Sequence, residues 1–140
     1  MTKLDDIAEV FELLGDWEQR YAYLIELGEQ LPAMPEQYRT EENRVKACMS
    51  KVWVVAYKHN GLIRFHGDCD TSVIKGVLAL LIDLCTDLTA SQIRSIDMDE
   101  IFKRLNLDEH LSPNRHIGVY AMFDLMKQKA EKSDKTSQAA

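Results

Sequence analysis

Residues 52–66 read Val-Trp-Val-Val-Ala-Tyr-Lys-His-Asn-Gly-Leu-Ile-Arg-Phe-His, and this stretch decides the fold. β-Branched and aromatic residues on both sides are typical of strands, and Asn60-Gly61 between them supplies the positive φ angles of a tight turn. The stretch therefore predicts a two-stranded antiparallel hairpin. Because two strands alone are only marginally stable in water, a helix has to cover one face of the hairpin.

The segment that follows the hairpin predicts this covering helix. Asp70, Thr71 and Ser72 are residue types that cap helix N-termini, and the helix should continue to about Cys85. Its side chains are apolar almost all round, with the longest unbroken apolar run at residues 77–82. A helix that is apolar on every side is buried, so this one is expected at the centre of the domain.

Two helices are predicted before the hairpin. Apolar residues recur every three or four positions after Thr2, a possible cap, as far as Gly15. A second helix begins at Asp16 and must end before Pro32, since proline cannot continue a helix. A proline-bearing loop then extends to about Asn43.

Further helices are predicted after the central one. Two short helices begin at Thr89 and Asp97, both spaced as capping boxes, the second with Glu100. A long final helix begins at Pro113, because proline in the first helical position sacrifices no hydrogen bond, and it should end near Lys129. The whole pattern indicates an α+β fold, with helices packed on one face of a small antiparallel sheet. We expect a single domain over residues 1–131 and a flexible C-terminal tail over residues 132–140.

Composition excludes several classes of function. The chain has 140 residues with 46% hydrophobic and 29% charged residues, which is typical of one globular domain. Its net charge of −6 leaves no excess of cations for nucleic-acid phosphates. No apolar run approaches the roughly 20 residues of a membrane-spanning helix, so no membrane association is expected. The polar, acidic start at residues 1–6 resembles neither a secretion signal nor a transit peptide, so we expect a cytoplasmic location.

The three cysteines have different surroundings along the chain. Their number is odd and their spacing matches neither a disulfide framework nor a paired metal motif, so reduced thiols are expected. Cys85 falls late in the apolar helix, where a cysteine behaves as a small buried hydrophobe. Cys69 lies between Asp68 and Asp70, whose charges disfavour a thiolate, although a helix N-terminus favours one.

Cys48 is the strongest candidate for chemistry. It lies in a polar stretch with Arg44, Lys46 and Lys51 close along the chain, and nearby cations favour the nucleophilic thiolate. A thiolate can attack sulfur on another molecule, as in thiol-disulfide exchange. The alternative is that Cys48 is a half-buried loop residue with no chemical role.

Other chemistries find less support in the sequence. It contains no acyl-transfer dyad, no glycine-rich phosphate loop and no HExxH zinc motif. His66, Cys69, Asp70 and Cys48 include residue types that zinc accepts, but their spacing is only weakly suggestive, so no metal ligand is assigned. A redox switch that uses Cys48 and Cys69 as a pair is a further alternative.

Several motifs taken together resemble the SufE family of cysteine-desulfuration proteins. Each motif alone is weak evidence for the family, but the whole set in this order along residues 4–130 is specific. The matching segments are Val45 to Trp53 around Cys-x-Ser-x-Val-Trp, Gly67-Asp68-Cys69-Asp70, Lys75-Gly76, Leu111-Ser112-Pro113-Asn114-Arg115 to Gly118, and Trp17-Glu18 through Leu27-Gly28 to Leu31-Pro32.

The resemblance implies a function in sulfur transfer. Members of the family accept sulfur from the persulfide of a SufS-like cysteine desulfurase and pass it to an iron-sulfur cluster scaffold. Cys48 matches the acceptor cysteine, Asp70 matches a position at the desulfurase contact, and Arg115 matches one near the acceptor loop. Such a protein is not an enzyme but a carrier that stimulates one, and it needs no cofactor, because pyridoxal phosphate belongs to the desulfurase. The resemblance also implies a fold like that of SufE and of the IscU scaffolds, so a metal-binding scaffold for cluster assembly is the alternative function.

The chain departs from the family pattern in two places. Ala47 replaces the glycine that commonly precedes the acceptor cysteine, which restricts positive φ and would stiffen the loop. Cys69 stands where a small residue without a thiol is usual, which places a second potential sulfur carrier near the helix start. The family further suggests a resting thiol sheltered by apolar side chains and swung outward for transfer. We expect Met49 and the hairpin to supply part of that shelter.

Overall fold

The computed structural model describes the backbone of residues 2–139 and the side chains of residues 2–135. This part of the chain forms an α+β domain with one two-stranded sheet. Two short 3-10 turns, Glu36–Tyr38 and Glu41–Asn43, lie in the proline-bearing connection before the first strand. The other elements in chain order are α1 Lys3–Leu14, α2 Trp17–Glu29, β1 Val52–His59, β2 Leu62–Cys69, α3 Ser72–Cys85, α4 Ala90–Arg94, α5 Met98–Arg104, α6 Leu107–His110 and α7 Pro113–Ala139.

The hairpin has the predicted turn. β1 and β2 pair antiparallel from Val52 opposite Cys69 to His59 opposite Leu62. Asn60 and Gly61 connect them with φ angles of 54° and 80°. Both residues adopt the positive φ that a tight hairpin turn needs, so the local sequence determines the register.

One face of the hairpin is covered by helices, as predicted. α3 contacts β2 and α7 contacts β1, and the sheet residues that face them, such as Val54 and Ile63, are fully buried. Lys58 on the same face forms a 2.9 Å salt bridge with Asp134 of α7. The helical layer and the sheet therefore enclose a single core.

α3 lies at the centre of this core and is approached closely by α2. A Cβ atom on Gly76 would lie 2.0 Å from the carbonyl oxygen of Leu24, and one on Gly28 would lie 2.9 Å from the backbone nitrogen of Gly76. No side chain fits between the two helices at this crossing. The glycines consequently allow α2 to lie directly on α3.

The structure corrects three local predictions. Thr89 forms the predicted capping box, but Asp97 caps α5 through a 2.9 Å hydrogen bond from the Asp99 N–H and not through a box with Glu100. α6 was not predicted. The end of α7 near Lys129 was also wrong, because the helix continues to Ala139.

Tertiary contacts explain the longer α7. Ala130 is fully buried, and Glu131 and Asp134 form salt bridges with Arg94 and Lys58. These contacts hold the segment in helical form although its composition is polar. The flexibility of residues 132–140 stays a prediction. Met1, where the predicted domain begins, and Ala140, where the predicted tail ends, lie outside the described residues. Among the helices described, none has the length and apolar character needed to cross a membrane.

Candidate functional site

Cys48 lies in a short loop whose two ends are fixed. We name residues 46–51 the Cys48 loop. At its start the N–H of Val45 donates a 2.9 Å hydrogen bond to the carbonyl of Val52. At its end the N–H of Lys51 donates to Oδ1 of Asp70 over 2.9 Å, and the N–H of Asp70 donates back to the Lys51 carbonyl over 3.1 Å. The loop therefore projects from the start of β1 and is closed by the residue that follows β2.

A side-chain hydrogen bond joins this loop to the central helix. The hydroxyls of Ser50 and Thr71 lie 2.7 Å apart. Thr71 is the N-cap residue of α3, yet its side chain makes no capping hydrogen bond to the helix. Its hydroxyl is engaged by Ser50 and by Asp70 instead, so the start of α3 serves to hold the loop.

The Cys48 side chain is half-buried and points against α7. It packs on the hydrophobic core and lies against the backbone of Gly118. A Cβ atom placed on Gly118 would lie only 2.8 Å from Cys48 Sγ. The absence of a side chain at Gly118 is thus what lets the sulfur rest on the helix.

The sulfur also borders a small cleft of about 240 Å³ between the Cys48 loop, the start of α3 and the first turns of α7. Arg115 is exposed at this cleft. None of the salt bridges among the described side chains involves it. The guanidinium is therefore available to an anion in the cleft, which is lined by Cys48, Met49, Ser50, Thr71, Ile74, Ser112, Asn114 and Arg115.

Two of the three cations close to Cys48 along the chain are engaged elsewhere. Lys46 Nζ lies 2.8 Å from Glu41 Oε2, and Arg44 Nη1 lies 3.6 Å from Glu41 Oε1. The hydrogen bond and charge of Lys46 are the main reasons why the pKa of Glu41 falls below its ordinary value. Glu41 offsets both charges, and the third cation, Lys51, does not line the cleft. Arg115 is therefore the cation that the fold contributes to the cleft.

The predicted apolar shelter exists, but Met49 does not supply it. Met49 is 84% exposed, so that prediction was wrong. Shelter comes from α7, through Gly118, and from the buried Ile74 of α3 at the base of the cleft. Ile117 on α7 is also 58% exposed, so two apolar side chains project into solvent close to the site.

Ala47 does not strain the loop. Among the described residues other than glycine, positive φ angles occur only at Asn60, Asp87 and Asn106. Ala47 is exposed and adopts a backbone conformation open to any L-residue. The resting loop thus has no need of a glycine before Cys48.

The other two cysteines lie in apolar surroundings. Burial raises the pKa of Cys69 to about 11, and the charge of Asp70 adds to this shift. The Cys69 thiol is engaged with the backbone of Thr71 at 3.5 and 3.6 Å. Burial raises the pKa of Cys85 to about 12, which agrees with its predicted role as a small core residue. Both thiols remain protonated at neutral pH and are poor nucleophiles.

The residues considered for metal binding do not converge. His66 and Cys69 are three positions apart on β2 and point to opposite faces of the sheet. His66 stacks on Tyr57 and Tyr38, with ring centroids 4.8 and 6.0 Å away. No group of three potential His, Cys, Asp or Glu ligands gathers within the described part of the chain.

Sequence reasoning named Thr71 only as a candidate helix cap, and it gave Gly118 and Ser50 no role beyond their place in the family motifs. One signal was available for Gly118, because a glycine inside a helix costs about 1 kcal/mol relative to alanine and often marks a close approach. The partner in that approach, Cys48, lies in a distant part of the sequence. The hydroxyl pair of Ser50 and Thr71 has no sequence signature.

Comparisons with known proteins bear on the family and the fold of this chain. The family SufE, described as an Fe-S metabolism associated domain, matches residues 5–130. An uncharacterized SufE-like protein of Rhizobium meliloti (strain 1021) is 41% identical over 135 residues, which cover 94% of this chain and 96% of that protein. An uncharacterized SufE-like protein of Rhizobium etli is 38% identical over 135 residues, covering 94% and 91%.

The fold also has a solved counterpart. The solution structure of a hypothetical protein from Thermus thermophilus superposes with a TM-score of 0.77 at 21% identity, over 95% of this chain and 98% of that one. At this identity the likeness concerns the fold alone. The family match and the relatives carry the assignment: the chain belongs to the SufE family, whose domain is associated with Fe-S metabolism.

Proposed function

We propose that this protein accepts sulfur on Cys48 from the persulfide of a pyridoxal-phosphate cysteine desulfurase and carries it toward iron-sulfur cluster assembly. One observation carries the proposal. The Cys48 sulfur, alone among the three thiols, borders a solvent-accessible cleft. This cleft also contains the Arg115 guanidinium, which has no salt-bridge partner among the side chains of residues 2–135. Family membership links the chain to Fe-S metabolism.

The transfer step is a displacement at sulfur. The Cys48 thiolate attacks the outer sulfur of the desulfurase persulfide, a new S–S bond forms at Cys48, and the S–S bond of the donor breaks. The donor cysteine leaves as a thiolate, and Cys48 becomes Cys-S-SH. No external oxidant or reductant is consumed, because the sulfane sulfur passes between two thiols. The pyridoxal phosphate acts in the desulfurase.

Arg115 and Asp70 support this step in different ways. Arg115 faces the cleft in which negative charge passes from one sulfur to the other, and a guanidinium stabilises such charge. Asp70 closes the Cys48 loop through its hydrogen bonds with Lys51. A partner that contacts the exposed Asp70 would act directly on the loop that carries the sulfur.

The desulfurase is expected to contact the surface around the loop. Met49 and Ile117 are the large apolar side chains exposed there. Apolar groups that are solvent-exposed in the free protein gain from burial against a partner. The carrier itself turns over no substrate, and a cytoplasmic location and delivery to an iron-sulfur scaffold are parts of the same proposal.

Intact-mass spectrometry tests the proposal directly. The purified protein is incubated with a SufS-like desulfurase, pyridoxal phosphate and cysteine, and its mass is then measured without reductant. We expect a gain of one or more sulfur atoms, which Cys48→Ser abolishes and the matched control Cys69→Ser retains. Retention of the gain in Cys48→Ser, or no gain in the natural chain while the desulfurase turns over, would refute the proposal.

Metal analysis of the same preparation tests the scaffold alternative. The carrier function predicts no stoichiometric zinc or iron. Metal that is bound in a one-to-one ratio and lost in Cys48→Ser would favour a cluster scaffold.

A further inference from the structure

Gly118 stands opposite the Cys48 sulfur at a point where the fold leaves no spare room. A Cβ atom at position 118 would lie 2.8 Å from Cys48 Sγ, 3.4 Å from its Cβ and 3.5 Å from its Cα. Carbon atoms in favourable contact are separated by about 3.5–4.0 Å. Only the sulfur falls far inside this distance, so a methyl group at 118 conflicts with the thiol and barely with the backbone of the Cys48 loop.

The sulfur is the part of this contact that is free to move. Cys48 has a single side-chain torsion for its Sγ atom, and rotation about it carries the sulfur away from α7. The cleft that contains Arg115 borders the same side chain and has room for it. The helix backbone at Gly118 is buried and fixed inside α7.

A second sulfur on Cys48 meets the same restriction. An S–S bond is about 2.05 Å long, so an outer sulfur directed at α7 would occupy the space next to the Gly118 backbone. That space is already filled by Cys48 Sγ itself. The outer atom therefore extends away from α7, and the cleft that Cys48 lines offers space for it.

We infer that Gly118 is a positioning residue that holds the resting Cys48 sulfur against α7, and that loading with sulfane sulfur turns the reactive end into the cleft beside Arg115. Only the part of the inference that concerns the sulfur-loaded state rests on the proposed function. The resting geometry is independent of any partner. Gly118 thus permits the sheltered orientation, because it has no side chain where the Cys48 sulfur lies.

Alkylation of Cys48 by iodoacetamide measures the orientation of the thiol. Gly118→Ala should raise the second-order rate at Cys48 by about threefold or more at neutral pH, because the sulfur is displaced toward solvent. Peptide mass spectrometry assigns the modified cysteine. Gly61→Ala is the matched control, since a Cβ there meets nothing within 4 Å but strains a positive φ. It reports the effect of a general loss of stability, which should leave the Cys48 rate unchanged under native conditions.

A double-mutant cycle gives a second test, in which the melting temperature is compared with and without Cys48. A general effect on helix stability would change it equally in both backgrounds. Alanine favours helix more than glycine does, so Gly118→Ala should raise the melting temperature when Cys48 is also replaced by alanine. In the natural chain the same change should lower it. Failure of Gly118→Ala to fold in the natural chain, with folding restored by Cys48→Ala, would equally support the inference.

Two results would overturn the inference. One is a Cys48 alkylation rate in folded Gly118→Ala that does not exceed the natural rate. The other is a change in melting temperature that is the same with and without Cys48. These outcomes are separate from sulfur loading, so faster alkylation in a chain that accepts no sulfur from a desulfurase would refute the proposed function and leave the positioning by Gly118 intact.

Discussion

Replacement of Asp70 by alanine should loosen the Cys48 loop without unfolding the protein. The carboxylate accepts the Lys51 N–H at 2.9 Å and the Thr71 hydroxyl at 3.2 Å. Asp70→Ala removes both acceptors but keeps the 3.1 Å hydrogen bond from the Asp70 N–H to the Lys51 carbonyl. The distal end of the loop thus loses one of its two backbone anchors.

The size of the effect follows from the exposure of the site. Hydrogen bonds to charged groups contribute about 1.5–3 kcal/mol, and exposed ion contacts less than about 1 kcal/mol. Asp70 is exposed, so we take about 1 kcal/mol for the loss. At 25 °C this free energy corresponds to an increase of about fivefold in the equilibrium for local loop opening.

Amide hydrogen exchange measures this opening at single residues. The Lys51 amide should exchange about fivefold faster in Asp70→Ala, while amides within α3 keep their natural rates. Asp70→Asn is the matched control, because its side-chain oxygen still accepts the Lys51 N–H, and it should recover most of the protection. Unchanged Lys51 exchange in Asp70→Ala would refute the assignment of Asp70 as the anchor of the loop.

Three further predictions concern a buried thiol, two glycines and the first turn of α1. Cys69→Ala should leave the sulfur loading measured by intact mass unchanged, because burial raises the pKa of this thiol to about 11, and a loss of loading would assign Cys69 a part in the transfer. Gly76→Ala should cost about 3 kcal/mol or more, since its Cβ would lie 2.0 Å from a backbone oxygen of α2, whereas Gly61→Ala in open space at φ +80° should cost only about 1 kcal/mol. Urea unfolding compares the two glycine variants, and equal costs would contradict the close helix crossing. Hydrogen bonds from the backbone N–H of Thr2 and then from Arg104 lower the pKa of Asp5 to about 2. The stabilisation by these contacts should be present above about pH 4 and lost as the pH falls toward 2, which carboxyl NMR titration can follow.

Short-range sequence signals determined most of the secondary structure. The Asn60-Gly61 turn, the Thr2 and Thr89 caps and the start of α7 at Pro113 all act within a few residues, so their physical effect is complete in the local sequence. Side chains that are apolar on almost every side of α3 similarly predicted that this helix is buried at the centre, because no other placement in the domain hides such a helix from water. Order and type of the main elements follow from these rules.

Contacts between distant segments decided the rest. The composition after Lys129 predicts no helix, yet burial of Ala130 and the Lys58–Asp134 salt bridge continue α7 to Ala139. The exposure of Met49 likewise depends on which surfaces surround the loop and not on its neighbours in sequence.

The site divides in the same way. The sequence predicted Cys48 as the reactive thiol, first from nearby cations and then through its resemblance to a family, and it named Arg115 and Asp70 as residues expected to take part in the same process. Only the tertiary structure brought Arg115 to the cleft, gave Asp70 the role of closing the loop and set Gly118 behind the sulfur. The physical reason is that the orientation of a thiol depends on the space left by whatever packs against it, and that space forms only when α7 folds back over the start of β1.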